Sequence, residues 1–299
     1  MPRINKCIEL LEQGQPVFAT GAQELSYDAG RKMALTSADM IEVEFEHHPF
    51  DTVGLREFMR GLRDGGPTPS GHLTPTVVCT LPSNCISPEE VRYNAWQSRH
   101  VLTTGVHGIL HTHARSAEAV RWFVATCRYP FQTLGRDQGI PEGLRGAGGQ
   151  VQAAAVWGIE AHDYVKRADP WPMNPAGELL LGLKIEDRHP LMDSDAIAAV
   201  PGIAFAEWGP GDMAMSHGDS NPEGHDPPFP PHMDAARNTV KASLDRAGVA
   251  FLCSWGDKSM TEEENLVHLI ENIGSKIMHM PSAEVASAIR QRYGRTMPV

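Results

Sequence analysis

The chain has 299 residues, of which 41% are hydrophobic and 21% charged, and its formal net charge is −11 at pH 7. This composition is typical of a globular protein, and the acidic balance without a Lys/Arg-rich run argues against a nucleic-acid or anionic-membrane partner. One (β/α)₈ barrel needs roughly 250 residues, so the length accommodates such a barrel with additions. We therefore expect one large domain that binds a small molecule.

The five cysteines are scattered along the chain without a CxxC pair. The sequence therefore supports neither a disulfide framework nor a structural zinc site. No apolar run reaches the roughly 18 residues that would span a bilayer. The N-terminal segment is typical of an amphipathic helix and lacks the long apolar core of a signal peptide. We expect a soluble, cytoplasmic protein.

Strand-like and helix-like segments alternate along the chain. Aliphatic stretches bounded by turn residues predict eight strands, at 16–23, 40–47, 74–82, 107–114, 178–186, 202–209, 247–255 and 276–281. Helical patterns, such as 87–100 and 150–168, separate nearly all of them. The alternation predicts a (β/α)₈ TIM barrel as a single domain over residues 1–299, with an N-terminal helix and a long loop at about 216–232.

A doubly wound sheet is the alternative architecture. However, no GxGxxG follows the first predicted strand, and no P-loop occurs in the sequence. Nucleotide binding therefore has little support.

Two carboxylates occur where predicted strands end. The strand 178–186 ends at Glu186, and the GPGD turn after the strand 202–209 contains Asp212. Because the carboxyl ends of neighbouring parallel strands converge, these groups can form a site of hard oxygen ligands that suits Mg²⁺ or Mn²⁺. The alternative is structural, with Glu186 at a strand end and Asp212 as the N-cap of the next helix.

Glutamates and histidines share the second predicted strand. In MIEVEFEHH, Glu42, Glu44 and Glu46 lie on one face, and His47 and His48 follow at the carboxyl end. Acidic residues of this kind cannot be buried without partners, and they are tolerated near the catalytic end of a barrel, where water and metal can satisfy them.

A row of histidines marks the fourth predicted strand. In GVHGILHTHA, His107, His111 and His113 fall on one strand face. The row could be a metal cluster, a set of proton donors, or histidines hydrogen-bonded in a crowded polar barrel. We favour the last interpretation, because an HxH pair without a third defined ligand is a weak zinc signal.

With these motifs in order, the sequence resembles the HpcH/HpaI family of metal-dependent pyruvate aldolases, part of the phosphoenolpyruvate and pyruvate barrel group. The similarity covers nearly the whole chain. The matching segments are EH (46–47), RYP (128–130), GLRGAGG (143–149), LKIED around Glu186, and GPGDMAMSHG (209–218). The resemblance implies a barrel whose C-terminal helix is exchanged between the subunits of a homo-oligomer, a hexamer or a trimer.

The resemblance also implies the reaction. It points to a divalent-metal-dependent carbon–carbon lyase that acts on a 4-hydroxy-2-oxo acid through a metal-bound pyruvate enolate. Glu186 and Asp212 would hold the metal, which would be Mg²⁺ or Mn²⁺, with Co²⁺ or Zn²⁺ as alternatives.

The remaining site residues follow from the same resemblance. Gly209, Pro210 and Gly211 would form the turn whose backbone N–H groups bind the substrate carboxylate. His47 would be the acid/base group, since its pKa range suits that task, and Glu46 would lie beside the substrate.

The sequence departs from the family pattern on the third strand. Members carry an arginine there that contacts the 2-oxo group, whereas this chain offers Cys79 or Thr80. Lys184 stands where members often have glutamine. We hypothesise that Lys184 acts as a catalytic residue that supplies part of the missing positive charge; the alternative is that it only neutralises a Glu-rich barrel mouth.

The aspartate that orients the catalytic histidine in the family is also missing, because Thr103 takes its place. His111 or His113 could replace this group at the substrate site. These departures leave open metal-dependent decarboxylation of an oxaloacetate-like acid, hydration, or another lyase reaction on a related oxo acid. A non-catalytic barrel that binds a metal–oxo acid complex is less favoured, and the aldehyde partner cannot be inferred from the sequence.

Overall fold

The computed structural model describes residues 2–220 and 226–299, and within these ranges eight parallel strands close into a barrel. The described residues form nine strands, and all of them except β5 belong to the closed ring. They are β1 (Val17–Gly21), β2 (Met40–Val43), β3 (Thr76–Asn84), β4 (Gly108–Thr112), β5 (Pro170–Trp171), β6 (Leu179–Lys184), β7 (Phe205–Glu207), β8 (Ala250–Cys253) and β9 (Ile277–His279). The short β5 pairs with the start of β6, and β4 pairs with β6 to close the ring. The predicted (β/α)₈ barrel is confirmed, and each of the eight predicted strands overlaps one barrel strand, with β3 running two residues past its predicted end.

Helices surround the barrel. They are α1 (Lys6–Glu12), α2 (Tyr27–Met33), α3 (Thr52–Gly65), α4 (Pro88–Tyr93), α5 (Ala95–Thr103), α6 (Ala117–Thr126), α7 (Gln150–Trp157), α8 (Ala161–Arg167), α9 (Ser194–Ala198), α10 (Pro210–Ser216), α11 (Pro231–Ala247), α12 (Glu262–His268) and α13 (Ala283–Arg292). No helix of the described residues combines the length and the apolar character that a bilayer crossing requires.

Two segments predicted as single helices are divided in the structure. The segment 87–100 is split between α4 and α5 at Asn94, and the segment 150–168 between α7 and α8. Gly158 ends α7 in the left-handed conformation, with φ 68°, which a glycine adopts without steric cost. The division changes the length of these helices and leaves the barrel order unchanged.

The barrel interior changes from apolar to acidic along its axis. Side chains two residues apart on a strand share a face, so the interior residue of β7 is first Phe205 and then Glu207. The Phe205 ring fills the space beside Gly182, where an added Cβ would lie 2.3 Å from the ring. The apolar layer therefore closes the barrel below, and acidic groups lie above it.

A buried charge cluster closes the amino-terminal end, and we call Asp39, Lys6, Arg290 and Arg295 the basal cluster. The two nitrogens Nη1 and Nη2 of Arg295 donate to the Asp39 carboxylate at 2.8 and 2.5 Å. The Lys6 Nζ lies 3.1 Å from Asp39 Oδ1, and the Arg290 Nη2 lies 3.6 Å from Oδ2. Burial opposes ionisation of Asp39, but these cations hold its pKa below the usual value.

The long loop predicted at 216–232 lies partly outside the described residues, which omit 221–225. On its described flanks, α10 extends to Ser216 and α11 begins at Pro231. The rings of His217 and His232 approach each other, with centroids 5.0 Å apart.

Candidate functional site

Acidic side chains line the upper part of the barrel. A cavity of about 190 Å³ is bounded there by Glu42, Glu44, Lys184, Glu207 and His279, among others. Carboxylates thus outnumber cations at this end. This end also receives the carboxyl termini of the strands, which is where active sites of such barrels lie.

The structure brings Lys184 into contact with Glu46. The Lys184 Nζ donates to Glu46 Oε2 at 2.6 Å and lies 3.9 Å from Glu186 Oε2. Burial disfavours the charged ammonium, but Glu207, Glu186 and Glu46 raise its pKa. The contact agrees with the interpretation in which Lys184 neutralises a Glu-rich mouth. We call Glu46, Lys184, Glu186 and Glu207 the acidic mouth.

Three residues place potential metal ligands close together. One ligand atom from each of Glu46, His113 and Glu186 lies within 4.8 Å of the others. The His113 Nε2 is 3.5 Å from Glu46 Oε1, and its Nδ1 is 3.7 Å from Glu186 Oε1. Among the described residues, the buried Oε1 atoms of both glutamates and the His113 Nδ1 have no hydrogen-bond partner. Since buried polar atoms are normally paired, this donor set fits a divalent cation.

Electrostatics around Glu186 favour a cation at the same place. Burial raises the pKa of this carboxyl well above its usual value, and Glu207, Glu46 and Asp212 raise it further while Lys184 opposes them. A bound cation would offset this penalty. Gly209 leaves room for the carboxylate, because an added Cβ would lie 2.5 Å from Glu186 Oε2.

A left-handed backbone turns His113 toward this group. His113 follows the end of β4 and has a φ of 48°, an uncommon value for a residue with a side chain. Continued strand geometry would place it on the same face as His111. The positive φ breaks that alternation, which is why the ring reaches Glu46 and Glu186.

Asp187 is a further acidic neighbour of His113. Its Oδ2 lies 3.7 Å from His113 Nδ1, and this interaction raises the pKa of the histidine against the effect of burial. Asp187 Oδ2 also accepts from Arg115 Nε at 2.8 Å, and Oδ1 accepts from the His189 backbone N–H at 2.9 Å. Burial disfavours the charged carboxylate, but these donors hold the pKa of Asp187 at about 2.

The structure does not bring His111 to this group. His111 is buried on the outer face of β4, and its ring meets Phe123 of α6 edge-on at 4.8 Å. Burial lowers its pKa to about 3. His107 is also buried, and its Nδ1 accepts from the Val77 backbone N–H at 3.1 Å. These two histidines therefore fit the core interpretation, whereas His113 joins the mouth.

Asp212 lies at the edge of the three-residue group. It is half-buried in the first turn of α10, which begins at Pro210 with Gly209 as its N-cap. Its charge acts on both His113 and Glu186. Gly209 lies against the Glu186 carboxylate, whereas the ligand atoms that come within 4.8 Å of one another belong to Glu46, His113 and Glu186.

His47 lies at the rim. Its side chain is 67% exposed, and its Nε2 is 3.8 Å from Glu46 Oε2. Its backbone N–H donates to Glu44 Oε1 at 2.8 Å. The predicted acid/base histidine is therefore beside the site and open to solvent.

Thr80, one of the two residues that the sequence offers where the resemblance predicts an arginine, lines the cavity at the acidic end of the barrel. Its Oγ1 accepts from the backbone N–H groups of Phe45 and Glu46 at 2.7 and 3.1 Å. The hydroxyl also donates to Glu44 Oε1 at 3.3 Å. Thr80 thus holds the segment after β2 in place and brings no charge, whereas Cys79 is buried on the opposite face of the strand.

The RYP and GLRGAGG segments form the connection between α6 and α7. Arg128 of this connection donates to Asp169 Oδ1, just before β5, at 2.6 Å. The Arg145 guanidinium lies 4.4 Å from the ring centroid of Tyr129 and donates to the Tyr164 hydroxyl at 2.9 Å. These contacts hold the connection together.

Known proteins resemble this chain in sequence and in fold. No protein-family model matches the chain. A curated protein named hydroxypyruvate/pyruvate aldolase, from Paraburkholderia phytofirmans, is 25% identical over 240 residues, which are 80% of this chain and 79% of the relative. The chain resembles the HpcH/HpaI aldolases at low identity.

Solved structures show the same relationship at the level of fold. An HpcH/HpaI aldolase/citrate lyase family protein from Burkholderia cenocepacia superposes with a TM-score of 0.69 at 21% identity, covering 97% of both chains. A citrate lyase beta subunit from M. tuberculosis, solved with oxaloacetate and magnesium, has a TM-score of 0.51 at 13% identity and covers 93% of this chain and 95% of that chain. The predicted resemblance is therefore confirmed at low identity.

Sequence reasoning missed two features of this site. Asp187 stands next to Glu186 in the LKIED segment, so the second acidic residue of that motif was an available signal. Nothing in the sequence distinguishes His113 from His107 and His111, because all three fit the same strand pattern. The positive φ of His113, which only the structure shows, turns its ring toward the site.

Proposed function

We propose that the chain is a divalent-metal-dependent carbon–carbon lyase of the pyruvate-aldolase type, acting on a 4-hydroxy-2-oxo acid. The observation that carries the proposal is the group Glu46, His113 and Glu186, whose buried donor atoms lack hydrogen-bond partners among the described residues. The group lies at the end of the barrel where active sites of this fold are found. The name of the Paraburkholderia phytofirmans relative supports the same class of reaction.

A cation held by Glu186 and Asp212 would supply Lewis-acid stabilisation of the charge that develops on the 2-oxo oxygen as the C3–C4 bond breaks. The family resemblance gives Mg²⁺ or Mn²⁺ as the first candidates, with Co²⁺ and Zn²⁺ as alternatives. The magnesium solved with the citrate lyase relative supports a divalent ion of this kind.

The start of α10 is proposed to bind the substrate carboxylate. The backbone N–H groups of Gly211 and Asp212 lie in the first turn, after the N-cap Gly209 and after Pro210, which has no N–H, and they have no acceptor within the helix. We expect these amides to orient the oxo acid so that its 2-oxo group faces Glu186.

His47 is proposed as the group that moves the proton of the aldol hydroxyl. Its exposed ring is open to a substrate, and its Nε2 faces Glu46 at 3.8 Å. Lys184 is proposed to hold Glu46 and to offset the negative charge of the mouth through its 2.6 Å contact. Lys184→Met tests this role. We expect it to change turnover or oxo-acid affinity, and if both stayed unchanged the role would be absent.

Proton exchange of pyruvate tests the proposal directly. Purified protein, Mg²⁺ and pyruvate are incubated in D₂O, and loss of the methyl signal is followed by NMR. We expect exchange that stops on chelation and falls by at least about 100-fold in Asp212→Ala. His48→Gln is the matched control, because His48 is exposed and bonded to Glu44.

Exchange that continues unchanged both after chelation and in Asp212→Ala would contradict the metal-dependent reaction. Reduction with borohydride in the presence of pyruvate then distinguishes a Schiff base on Lys184, since only that mechanism leaves a covalent adduct detectable by mass spectrometry.

A second candidate is metal-dependent decarboxylation of an oxaloacetate-like acid. The observation that favours it is the role of Thr80, whose hydroxyl oxygen already accepts hydrogen bonds from the segment after β2. Members of the family that the sequence resembles carry a charged arginine on this strand. Release of carbon dioxide from oxaloacetate, compared with release of an aldehyde from 4-hydroxy-2-oxo acids under the same conditions, separates the two reactions.

We also propose that the chain forms a homo-oligomer, as the family resemblance implies. Large apolar side chains such as Phe131 and Leu134 are exposed on the single chain, at 58% and 47%, and subunit contacts would cover surfaces of this kind. Light scattering on the purified protein gives the mass and tests this proposal.

A further inference from the structure

We infer that His113 contributes its Nδ1 as a nitrogen ligand, so that the metal site is a mixed nitrogen and oxygen site that selects Co²⁺ or Zn²⁺ over Mg²⁺. This inference rests on the metal site of the proposed function but does not depend on which reaction the site performs.

The first argument is the spacing of unpartnered donors. The His113 Nδ1 and the Glu186 Oε1 lie 3.7 Å apart. Neither atom has a hydrogen-bond partner among the described residues, and Glu186 is 1% exposed. Two ligands about 2.1 Å from one ion are separated by roughly 3.0–3.6 Å at common coordination angles. The pair is therefore close to the spacing that a shared ion requires.

The second argument is the other ring nitrogen. The His113 Nε2 faces Glu46 Oε1 at 3.5 Å, while Glu46 Oε2 is held by Lys184 at 2.6 Å. A histidine that binds a metal usually directs its second ring N–H to a carboxylate, which fixes the tautomer. The Glu46 and Lys184 pair supplies this support, so Nδ1 is left for the metal.

A simple ion pair with Asp187 explains the geometry less well. Asp187 Oδ2 is also 3.7 Å from His113 Nδ1. However, its two oxygens already accept from Arg115 and from the backbone of His189. Glu186 Oε1 has no such donor among the described residues, so Glu186 and not Asp187 is the carboxylate that still needs a partner.

The chemistry of the donor then sets the preference among metals. Mg²⁺ favours oxygen ligands and gains little from an imidazole, whereas Co²⁺ and Zn²⁺ bind imidazole strongly. A nitrogen ligand therefore raises affinity for these ions more than for Mg²⁺. Two carboxylates without His113 would form an oxygen site of the ordinary magnesium kind.

The variant His113→Asn tests the inference. Asparagine tolerates a positive φ and lacks the ring nitrogen, so it fits the backbone at this position. The full-length protein is freed of metal with EDTA, and Mg²⁺ and Co²⁺ are titrated separately by calorimetry. We expect the Co²⁺ affinity to fall by at least about 10-fold and the Mg²⁺ affinity to change by less than about 3-fold.

The visible absorption of bound Co²⁺ gives a second readout, because loss of a nitrogen ligand shifts the bands. His48→Asn is the matched control, since it removes a nearby but exposed histidine that is paired with Glu44, and it should leave both affinities and the spectrum unchanged. His113→Gly, which also suits the backbone, repeats the test if the asparagine variant does not fold.

A ratio of Co²⁺ to Mg²⁺ affinity that stays within about 3-fold of wild type, with an unchanged Co²⁺ spectrum, would overturn the inference. Equal losses for both ions would overturn the selectivity. Failure of the wild type to bind either ion would overturn the metal site and the proposed function together. A shifted ratio without pyruvate exchange would support the inference and contradict the proposed reaction alone.

Discussion

The two ends of the barrel contain buried charge of opposite balance. In the basal cluster, Asp39 is surrounded by three cationic side chains, and both of its oxygens accept hydrogen bonds. In the acidic mouth, three glutamates share Lys184, and the Oε1 atoms of Glu46 and Glu186 have no partner within the described ranges.

The difference separates a structural task from a functional one. A complete set of partners stabilises buried charge, and removing one member leaves the others unpaired. An incomplete set destabilises the fold and persists where a ligand completes it. We therefore expect substitutions in the basal cluster to affect folding, and substitutions in the acidic mouth to affect activity.

The largest effect is expected for Asp39→Asn. This change leaves Lys6 and Arg295 buried without their anion, and the free energy of unfolding should fall by about 3–5 kcal/mol. Urea unfolding at pH 7 measures the loss. Asp195→Asn is the control, because Asp195 forms an exposed pair with Arg246, and it should leave the free energy of unfolding nearly unchanged. If both variants lost only a little stability, the basal cluster would not have the structural role that distinguishes it from the acidic mouth.

We expect Glu186→Gln to stabilise the metal-free protein and to reduce its pyruvate exchange. Because burial disfavours this carboxylate, the neutral amide should raise the free energy of unfolding of the metal-free protein by about 1 kcal/mol. Pyruvate exchange should fall by at least about 100-fold in the same variant. Thermal unfolding in EDTA and the NMR assay measure the two effects. Loss of stability without metal would show that Glu186 is structural.

The pH dependence of stability should also differ between the ends. The pKa values of Glu186 and Glu207 are raised in the folded protein, mainly by burial. Above the unfolded value of about 4.3 the folded state holds more protons, so the metal-free protein should lose stability as pH rises through the raised pKa values.

Asp39 should act with the reverse sign. Its pKa is lowered in the folded state, so its contribution is complete above the unfolded value of about 3.9 and is lost as pH falls through the folded value. Thermal unfolding in EDTA between pH 3 and 8 measures both limbs. Glu186→Gln should flatten the upper limb alone, and an unchanged upper limb would contradict the assignment.

A loss of stability smaller than that of Asp39→Asn is expected for Thr80 in β3. Thr80→Val removes the hydroxyl that accepts from Phe45 and Glu46, and the two amides lose their acceptor. We expect a loss of about 1–2 kcal/mol in the free energy of unfolding. Thr239→Val on the exposed face of α11 is the control, measured by urea unfolding. Equal values for the two variants would show that the segment after β2 does not depend on Thr80.

Much of the fold could be predicted from the sequence, because strand and helix periods alternate regularly. Each predicted strand overlaps a barrel strand, although most of the observed strands are shorter, as at β7 (Phe205–Glu207). The break at Gly158 was less readable, since a glycine within a helical pattern is often tolerated. Local pattern therefore predicted the architecture but not all helix boundaries.

The site could be predicted in part. Glu186 and the Gly209 turn meet because parallel strands end at one edge, and this follows from their order. The contact of Lys184 with Glu46 joins residues 138 positions apart, and the basal cluster joins Lys6 to Arg295. Contacts between side chains so far apart in the chain leave no local sequence pattern. The charged residues at the mouth could therefore be predicted, but not which of them pair.

The left-handed backbone at His113 makes the ligand chemistry of the site replaceable at a single position. Residues that adopt a φ of 48° readily include asparagine, aspartate and glycine besides histidine. These four offer a weak oxygen donor, a charged oxygen, no donor, or a ring nitrogen on the same backbone. An evolving or engineered barrel could therefore exchange one metal for another at residue 113 while every strand keeps its register.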